Sequence, residues 1–227
     1  MSDAIAAHAG SHGTHAHHND LQHHFDSLEQ QHEAATLGMW LFLITEVLFF
    51  GGLFLAYMLY RVWYPVAWAE ASRELDIVLG AFNTAVLIGS SLTMALAVHA
   101  AALGHRKKIA AYLLLTILLG SVFLGIKVVE YADKFHHHLV PGPNFQFEGS
   151  DPRASQAFYT LYFGMTGLHA LHMIIGIVLL GILVWRGAQG MFNHYYYTPV
   201  EMSGLYWHFV DLVWIFLFPL LYLIGRH

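Results

Sequence analysis

Five long apolar runs constrain what this chain can fold into more than any other feature of its sequence. They cover residues 37–60, 77–101, 109–132, 157–185 and 203–224. Each run exceeds the ~20 residues that an α-helix needs to cross the ~30 Å hydrocarbon core of a bilayer. Buried helices of water-soluble proteins are rarely so long or so continuously apolar. The runs therefore predict an all-α membrane protein, a bundle of five transmembrane helices.

Composition narrows the class of protein further. Of the 227 residues, 57% are apolar and 11% are charged, whereas soluble domains carry about 25% charged residues. The formal net charge is −5, so basic residues are not in excess, which argues against nucleic acid as a partner. Because the chain has no cysteine, disulfides and thiolate metal sites are excluded.

The first 33 residues differ sharply from the rest. They hold eight of the eighteen histidines and five acidic residues, but no lysine or arginine. This composition predicts a flexible polar tail that ends in a short helix over residues 19–33. Imidazoles titrate near pH 6.5, so the tail is also a hypothetical collector of protons for a neighbouring channel. The chain thus divides into a His-rich tail, 1–33, and a five-helix membrane domain, 34–227.

Four segments connect the five runs. Residues 61–76 contain three aromatic side chains that suit the membrane interface, residues 134–156 form an ordered turn outside the membrane, and residues 187–202 join the last two helices. The densest basic cluster, Arg106-Lys107-Lys108, lies in the shortest loop, where positive charge indicates the cytoplasmic side. We therefore expect the N-terminus in the cytoplasm and the C-terminus outside.

Glu46 is the clearest ionisable residue at membrane depth. A charged side chain there costs about 2.5–3.5 kcal/mol on insertion scales, so it needs a partner or a function. Its neighbours three and four positions away are phenylalanine and leucine, which favour the neutral acid unless a cation lies near. Two interpretations stay open: a protonated glutamate bonded between helices, and a site for a lipid head group or a proton.

Two further pairs of ionisable residues stand three positions apart. Lys127 and Glu130 on the third run are close enough for an ion pair, for which we expect a structural role near the membrane edge. His208 and Asp211 on the fifth run have the same spacing, which predicts an imidazole oriented by a carboxylate.

His169 and His172 form an H-x-x-H pattern on the fourth run, a spacing that places both imidazoles on one side of a helix. Such a pair could bind zinc or a haem iron, but no carboxylate stands near in sequence to complete a site. Bonds to neighbouring helices or to a lipid phosphate are the favoured interpretation. We expect neither a metal site nor a catalytic residue in this chain.

Several motifs resemble those of subunit III of cytochrome c oxidase, in the haem-copper oxidase family. They are Trp40-Leu-Phe-Leu-Ile-Thr-Glu46-Val-Leu-Phe-Phe50, Asn83-Thr84, Glu130-Tyr131, Gly167-Leu-His169-Ala-Leu-His172-Met-Ile-Ile-Gly176 followed by Arg186, and Tyr206-Trp207-His208-Phe209-Val210-Asp211-Leu-Val-Trp214. The last motif is the most specific. The motifs follow one another in unbroken order between Ala34 and Gly225.

The resemblance implies an all-helical subunit in a bacterial plasma membrane, with haem and copper in partner subunits. It implies direct contact with oxidase subunit I, and subunit II, a small subunit IV or a wider respiratory supercomplex as further partners. Glu46 falls on the family's buried carbodiimide-reactive glutamate, while His172 and Arg186 fall on positions near phospholipid head groups. The other matches, for which we expect packing roles, are His169, Glu130, His208 and Asp211.

Two features depart from the family pattern. The long form of the family has seven helices, and this chain is expected to begin at the third, without the pair that forms one wall of a lipid cleft. The family also usually has an uncharged residue where Lys127 stands, so the Lys127–Glu130 pair is a local feature.

Three functions are compatible with these residues. The leading one is subunit III of a proton-pumping cytochrome c oxidase, which stabilises subunit I and supports proton uptake and lipid binding. The second is subunit III of a quinol oxidase, although that branch often has aspartate where Glu46 stands. The third is a small proton-coupled transporter, but the chain shows no inverted repeat and no proline-interrupted helix pair.

Overall fold

The computed structural model describes residues 25–189 and 197–223, and within these residues all regular structure is helical. The elements are α1 Leu28–Trp63, α2 Pro65–Arg73, α3 Ile77–Ala102, α4 Arg106–His136, α5 Pro152–Ala188, α6 Thr198–Phe218 and a π-helical turn, Pro219–Leu223. Five helices are long and apolar enough to cross a membrane, namely α1, α3, α4, α5 and α6 with its π turn. The predicted all-α, multi-pass membrane fold is confirmed.

The tail and the first helix are continuous where the structure describes them. Residues 1–24 lie outside the described residues, so most of the predicted tail is not covered. The part from Leu28 to Glu33 forms the beginning of α1 rather than a separate short helix. The Ser27 hydroxyl accepts a hydrogen bond from the Gln30 backbone N–H at 3.1 Å and caps the helix. A polar cap, and not the apolar run from residue 37, sets where α1 begins.

Helices α5 and α6 also begin before their apolar runs, whereas α3 begins where its run does. One carboxylate oxygen of Asp76 and one of Asp151 each accept two backbone N–H groups, at 2.8–3.2 Å, in the first turns of α3 and α5. A proline stands in the first turn of both α5 and α6. These helices therefore begin at Pro152 and Thr198, ahead of the predicted residues 157 and 203.

Residues 61–76 are more than the interfacial segment that the sequence predicted, because they include α2. Pro65 is the first residue of this helix, where its fixed φ is favourable and its missing N–H costs nothing. Trp68 is buried, with its ring 5.9 Å from Tyr57 and 5.6 Å from Phe158. One of the three aromatic residues predicted to line the membrane interface therefore belongs to the core.

The loop between α4 and α5, residues 137–151, is fastened to α2. A carboxylate oxygen of Glu70 accepts hydrogen bonds from the Ser150 backbone N–H at 2.8 Å and from its hydroxyl at 2.9 Å. Because both bonds favour the ionised form, they lower the pKa of Glu70 below its ordinary value. The segment is an ordered turn, as predicted.

Four helices form the body of the bundle. α3 packs against α4 and α6, and α5 also packs against α4 and α6, so the four close a ring. α1 lies outside the ring against α6 and α5, and most of its apolar residues are exposed. α1 is therefore the peripheral helix of the bundle.

Trp207 of α6 fills the centre of the ring. Its indole lies directly over Gly120 of α4 and Gly176 of α5, where an added Cβ would meet ring atoms at 2.8 and 2.9 Å. Its Nε1 donates a hydrogen bond to the Ser90 hydroxyl of α3 at 3.2 Å. One side chain thus joins all four helices of the ring, and the two glycines make the close approach possible.

Pro219 interrupts the hydrogen bonding of the last helix. It has no N–H to donate, and the chain continues as a π-helical turn. The Tyr57 hydroxyl donates to the Leu220 carbonyl at 2.8 Å, and the Ser72 hydroxyl donates to the Leu221 carbonyl at 2.7 Å. Side chains of α1 and α2 therefore satisfy carbonyl groups at the end of the last helix.

Candidate intramembrane polar sites

The polar residues predicted from the sequence lie at five places in the membrane domain. These are Glu46 with His172 between α1 and α5, Arg186 at the end of α5, Lys127 with Glu130 beside the π turn, His169 in the core, and His208 with Asp211 on α6. Each place offers a different chemistry.

Glu46 of α1 lies next to a histidine of α5, a contact that the sequence around Glu46 does not indicate. The Nε2 atom of His172 lies 3.3 Å from a carboxylate oxygen of Glu46, and both side chains are mostly buried, with 13% and 19% exposed. The Nδ1–H of His172 donates to the Leu168 carbonyl at 2.8 Å, which directs Nε2 toward Glu46. The imidazole and the carboxyl group of this pair therefore face each other across the contact between α1 and α5.

Arg186 does not join this pair. It lies fourteen positions after His172 on the same helix, about 21 Å away at ~1.5 Å rise per residue. Its side chain is exposed at the end of α5. The three residues predicted to bind lipid or to be buried polar groups therefore form two separate places, one at mid-helix and one at a helix end.

Lys127 and Glu130 form a buried ion pair, with an Nζ–Oε2 distance of 2.9 Å and 4% and 3% of the side chains exposed. The Lys127 ammonium also donates to the Tyr222 hydroxyl at 2.8 Å. The other Glu130 oxygen accepts from the Tyr162 hydroxyl at 2.7 Å and from the Tyr222 hydroxyl. Each charge thus has several hydrogen-bond partners, which a buried ion pair requires.

Aromatic rings surround the Lys127 ammonium. Its Nζ lies 4.8 Å from the Trp214 ring centre and 5.4 Å from those of Tyr162 and Tyr222, within cation–π range. The sequence indicated the Lys127–Glu130 pair from its spacing. It gave no signal for the two tyrosines, because these come from α5 and the π turn and meet the pair only in the folded bundle.

His169 lies in the core, apart from His172. It is 1% exposed, between the rings of Phe123 at 5.4 Å and Trp214 at 5.3 Å. Its Nε2–H donates to the Val210 carbonyl of α6 at 3.1 Å. The two imidazoles of the H-x-x-H pattern therefore bond to different groups. Across residues 25–189 and 197–223, no three His, Asp or Glu side chains come together as a metal site would need.

His208 and Asp211 face α3 rather than each other. The Nδ1 atom of His208 is hydrogen-bonded to the Ser91 hydroxyl at 2.8 Å. Asp211 is 3% exposed, and neither of its carboxyl oxygens has a well-aligned hydrogen-bond donor in the described part of the chain. The direct partner of the His208 imidazole is therefore Ser91, whose hydroxyl also lies beside the Asp211 carboxyl.

Comparison with known proteins identifies the family. The family model described as "Cytochrome c oxidase subunit III" matches residues 21–226. A cytochrome c oxidase subunit 3 of Thermostichus vulcanus is 34% identical over 88% of this chain and 92% of its own length. One of Bacillus subtilis is 33% identical over 83% of this chain and 86% of its own length. A cytochrome bo(3) ubiquinol oxidase subunit 3 of Pseudomonas aeruginosa is 30% identical, with 91% and 93% covered.

The fold and its buried polar pairs define a multi-pass membrane protein with an aromatic core. The match over nearly the whole chain shows that it belongs to the cytochrome c oxidase subunit III family. The resemblance found in its motifs is confirmed, and the chain is subunit III of a haem-copper oxidase. As such it belongs to a complex with other oxidase subunits.

Proposed function

We propose that this chain is the accessory, non-redox subunit III of a proton-pumping oxidase that takes electrons from cytochrome c. In this proposal it contacts subunit I directly, stabilises it and supports its proton uptake. Subunit II, with a small subunit IV or a wider respiratory supercomplex, completes the set of partners. The complex lies in a bacterial plasma membrane, with the N-terminus of this chain in the cytoplasm and its C-terminus outside.

The observation that carries the proposal is the aromatic filling of the bundle centre. Trp207 occupies the space between four helices, and Trp214 packs edge-on against Phe123 with ring centres 4.8 Å apart. His169 is enclosed beside these rings. A haem needs a cavity with ligands converging on it, and this packing favours haem and copper residing in the partner subunits.

A matched pair of preparations tests this assignment. The complex is purified with this chain and from a strain lacking it, and haem content, copper content and oxygen-reduction rate are measured. We expect haem and copper per subunit I to stay constant, while turnover and its retention over time fall without this chain. Stoichiometric haem or copper on the isolated chain, retained after washing with a chelator, would contradict the proposal.

We also propose that phospholipid binds at Arg186. The guanidinium is exposed at the end of a helix long enough to cross a membrane, and it can donate two parallel hydrogen bonds to a phosphate. Arg153 offers a control, because it is exposed at the other end of the same helix. We expect R186A to lower the phospholipid that copurifies with the complex and R153A to leave it unchanged. Equal retention in both variants would refute this role.

A quinol oxidase is the second candidate, favoured by one observation. The relative from Pseudomonas aeruginosa, named as a ubiquinol oxidase subunit, is 30% identical over 91% of this chain. Oxygen uptake by the purified complex with reduced cytochrome c, compared with uptake with a quinol, decides between the donors. We expect activity with cytochrome c, and activity with quinol alone would assign the complex to the quinol branch.

A further inference from the structure

We propose that the groove between α3 and α6 receives a transmembrane helix of another oxidase subunit, one that carries a hydrogen-bond donor at mid-membrane depth. The inference rests on the family membership of this chain, which places it in a complex of several subunits. It goes beyond the proposed function by naming the docking surface and the chemistry of the partner that the surface fits.

The groove has a volume of about 340 Å³. Its lining comes from α3 and α6, and its polar members are Ser91, His208 and Asp211. Four of the apolar lining residues have exposed fractions between 45% and 61%: Ile88, Leu92, Leu212 and Ile215. The groove thus has an apolar rim and a polar floor.

Asp211 supplies the acceptor on that floor. It is 3% exposed, and neither carboxyl oxygen has a well-aligned donor among the residues that the structure describes. The nearby Ser90 hydroxyl donates elsewhere, to the Leu87 carbonyl at 2.9 Å. The neighbouring Ser91 hydroxyl shares a hydrogen bond with Nδ1 of His208, and both serine hydroxyls lie beside the Asp211 carboxyl without the alignment of a good hydrogen bond. A buried acceptor without a donor is costly, which points to a donor supplied from outside the chain.

The depth of the groove distinguishes a helix from a lipid head group. Ser91 lies about 21 Å from the start of α3, and Asp211 lies about 20 Å from the start of α6, at ~1.5 Å per residue. Both residues are at least about 16 Å from the other end of their helix as well. Head groups lie about 15 Å from the bilayer centre. Only a membrane-spanning segment can present a polar side chain at this depth.

Complementarity also selects the kind of partner. Membership of the family favours another oxidase subunit over a second copy of this chain, because it places this chain in a complex of several subunits. A helix with a serine, threonine, asparagine or glutamine side chain provides the missing donor, and its apolar residues match the exposed rim. Such polar contacts are a regular feature of helix association in membranes.

Photo-crosslinking in the purified complex tests the contact directly. A benzophenone amino acid is placed at Leu92 or at Ile215 on the rim. The control position is Val178, which is also exposed and apolar but belongs to α5, a helix that does not line the groove. The attachment sites are read by mass spectrometry. We expect both rim positions, but not Val178, to mark one helix of an identified oxidase subunit near a residue with a hydrogen-bond donor.

Several outcomes would overturn the proposal. These are crosslinks to lipid alone, crosslinks between two copies of this chain, no protein crosslink from the rim, or an equal yield to the same helix from Val178. None of them would disturb the proposed function, because haem content and cytochrome c oxidation of the complex are measured in the same preparation.

Substitution of Asp211 provides a second measurement. We expect D211L to reduce the crosslink yield from Leu92 at least fivefold and D211N to keep most of it, because the asparagine carbonyl still accepts a hydrogen bond. If D211L lowers the amount of folded chain, the comparison of D211N with wild type and the crosslink map still show whether the groove receives a helix of another subunit. Unchanged crosslinking in D211L would refute the role of this carboxyl in docking.

Discussion

At the scale of single residues, the Lys127–Glu130 pair shows how a buried charge depends on its partner. Both charges lie in the membrane domain with almost no exposed surface, and each is bonded to the other and to a tyrosine. Removing one member of such a pair leaves an uncompensated charge, which costs about 3–5 kcal/mol. Replacing the pair by neutral groups of similar size is far less costly.

We therefore predict that K127M destabilises the complex strongly and that K127M combined with E130Q restores most of the loss. Glutamine can still accept a hydrogen bond from Tyr162, so the double variant keeps part of the network. The measurement is thermal inactivation of the purified complex, with the single E130Q variant completing the cycle. A double variant less stable than either single one would show that the network, and not the charge balance, holds this region together.

The bond between Glu70 and Ser150 predicts a pH dependence outside the membrane. Because the folded state lowers the pKa of Glu70, the bond stabilises the loop fully above the ordinary glutamate pKa of about 4.3, and this stabilisation is lost as the pH falls through the lower pKa of the folded state. We expect E70Q to speed amide hydrogen exchange of the loop at pH 7. Exchange in α3, which the bond does not touch, is the internal control. Equal loop exchange in E70Q and wild type would contradict the prediction.

Sequence reasoning at the residue scale succeeded for the Lys127–Glu130 pair but not for His208 and Asp211, which have the same spacing along one helix. The Lys127–Glu130 pair follows from a spacing of three, since such neighbours share a helix face. It did not find the His172 partner of Glu46 or the Ser91 partner of His208. Those contacts join helices far apart in the chain, and the packing that brings them together is absent from any local pattern.

At the scale of helices, the packing of Trp207 over two glycines determines how closely α4, α5 and α6 approach. Any side chain at Gly176 would overlap the indole ring, whose nearest atom lies 2.9 Å from the position of an added Cβ. Gly181, one turn and a half further along α5, has no neighbour within 4 Å of the same position. Gly176 and Gly181 therefore lie on the same helix, but only Gly176 is in close contact with another side chain.

We predict that G176V lowers the amount of assembled complex and its thermal stability, while G181V changes neither by much. Overpacking of a close-packed site costs about 1–3 kcal/mol, and here a ring that contacts three other helices would have to move. Complex yield and inactivation temperature are compared for the two variants in parallel. Equal effects would mean that the flexibility of glycine, rather than the contact with Trp207, is what matters in α5.

The helices themselves were predictable, whereas their ends and the short α2 were not. Runs of more than twenty apolar residues have few alternatives to spanning helices, so all five were found. The ends depend on local hydrogen bonds, such as the Ser27 cap that starts α1 in polar sequence. α2 is short and only partly apolar, and it is stabilised by tertiary contacts of Trp68 that hydropathy does not register.

At the scale of the whole molecule, five crossings place the loop before α4 and the loop after it on opposite sides of the membrane. We predict that the loop bearing Lys107 is cytoplasmic, because its basic cluster follows the positive-inside tendency. The chain lacks cysteine, so single cysteines can report the side. In intact cells, a membrane-impermeant thiol reagent should label N144C and spare K107C, both being exposed positions. The reverse pattern would invert the orientation.

The cytoplasmic N-terminus in this orientation gives the His-rich tail a testable role in proton uptake. Residues 1–24 contain seven histidines, whose imidazoles exchange protons near neutral pH and can raise the local supply at a channel mouth. Deletion of residues 2–24 leaves the Ser27 cap and α1 intact. We expect the deletion to slow turnover of the intact complex mainly above pH 7, where bulk protons are scarce. A variant with the seven histidines replaced by glutamine separates proton exchange from tail length. Equal rates from pH 6 to 9 in all three forms, with subunit III still bound, would leave the tail without a part in proton delivery.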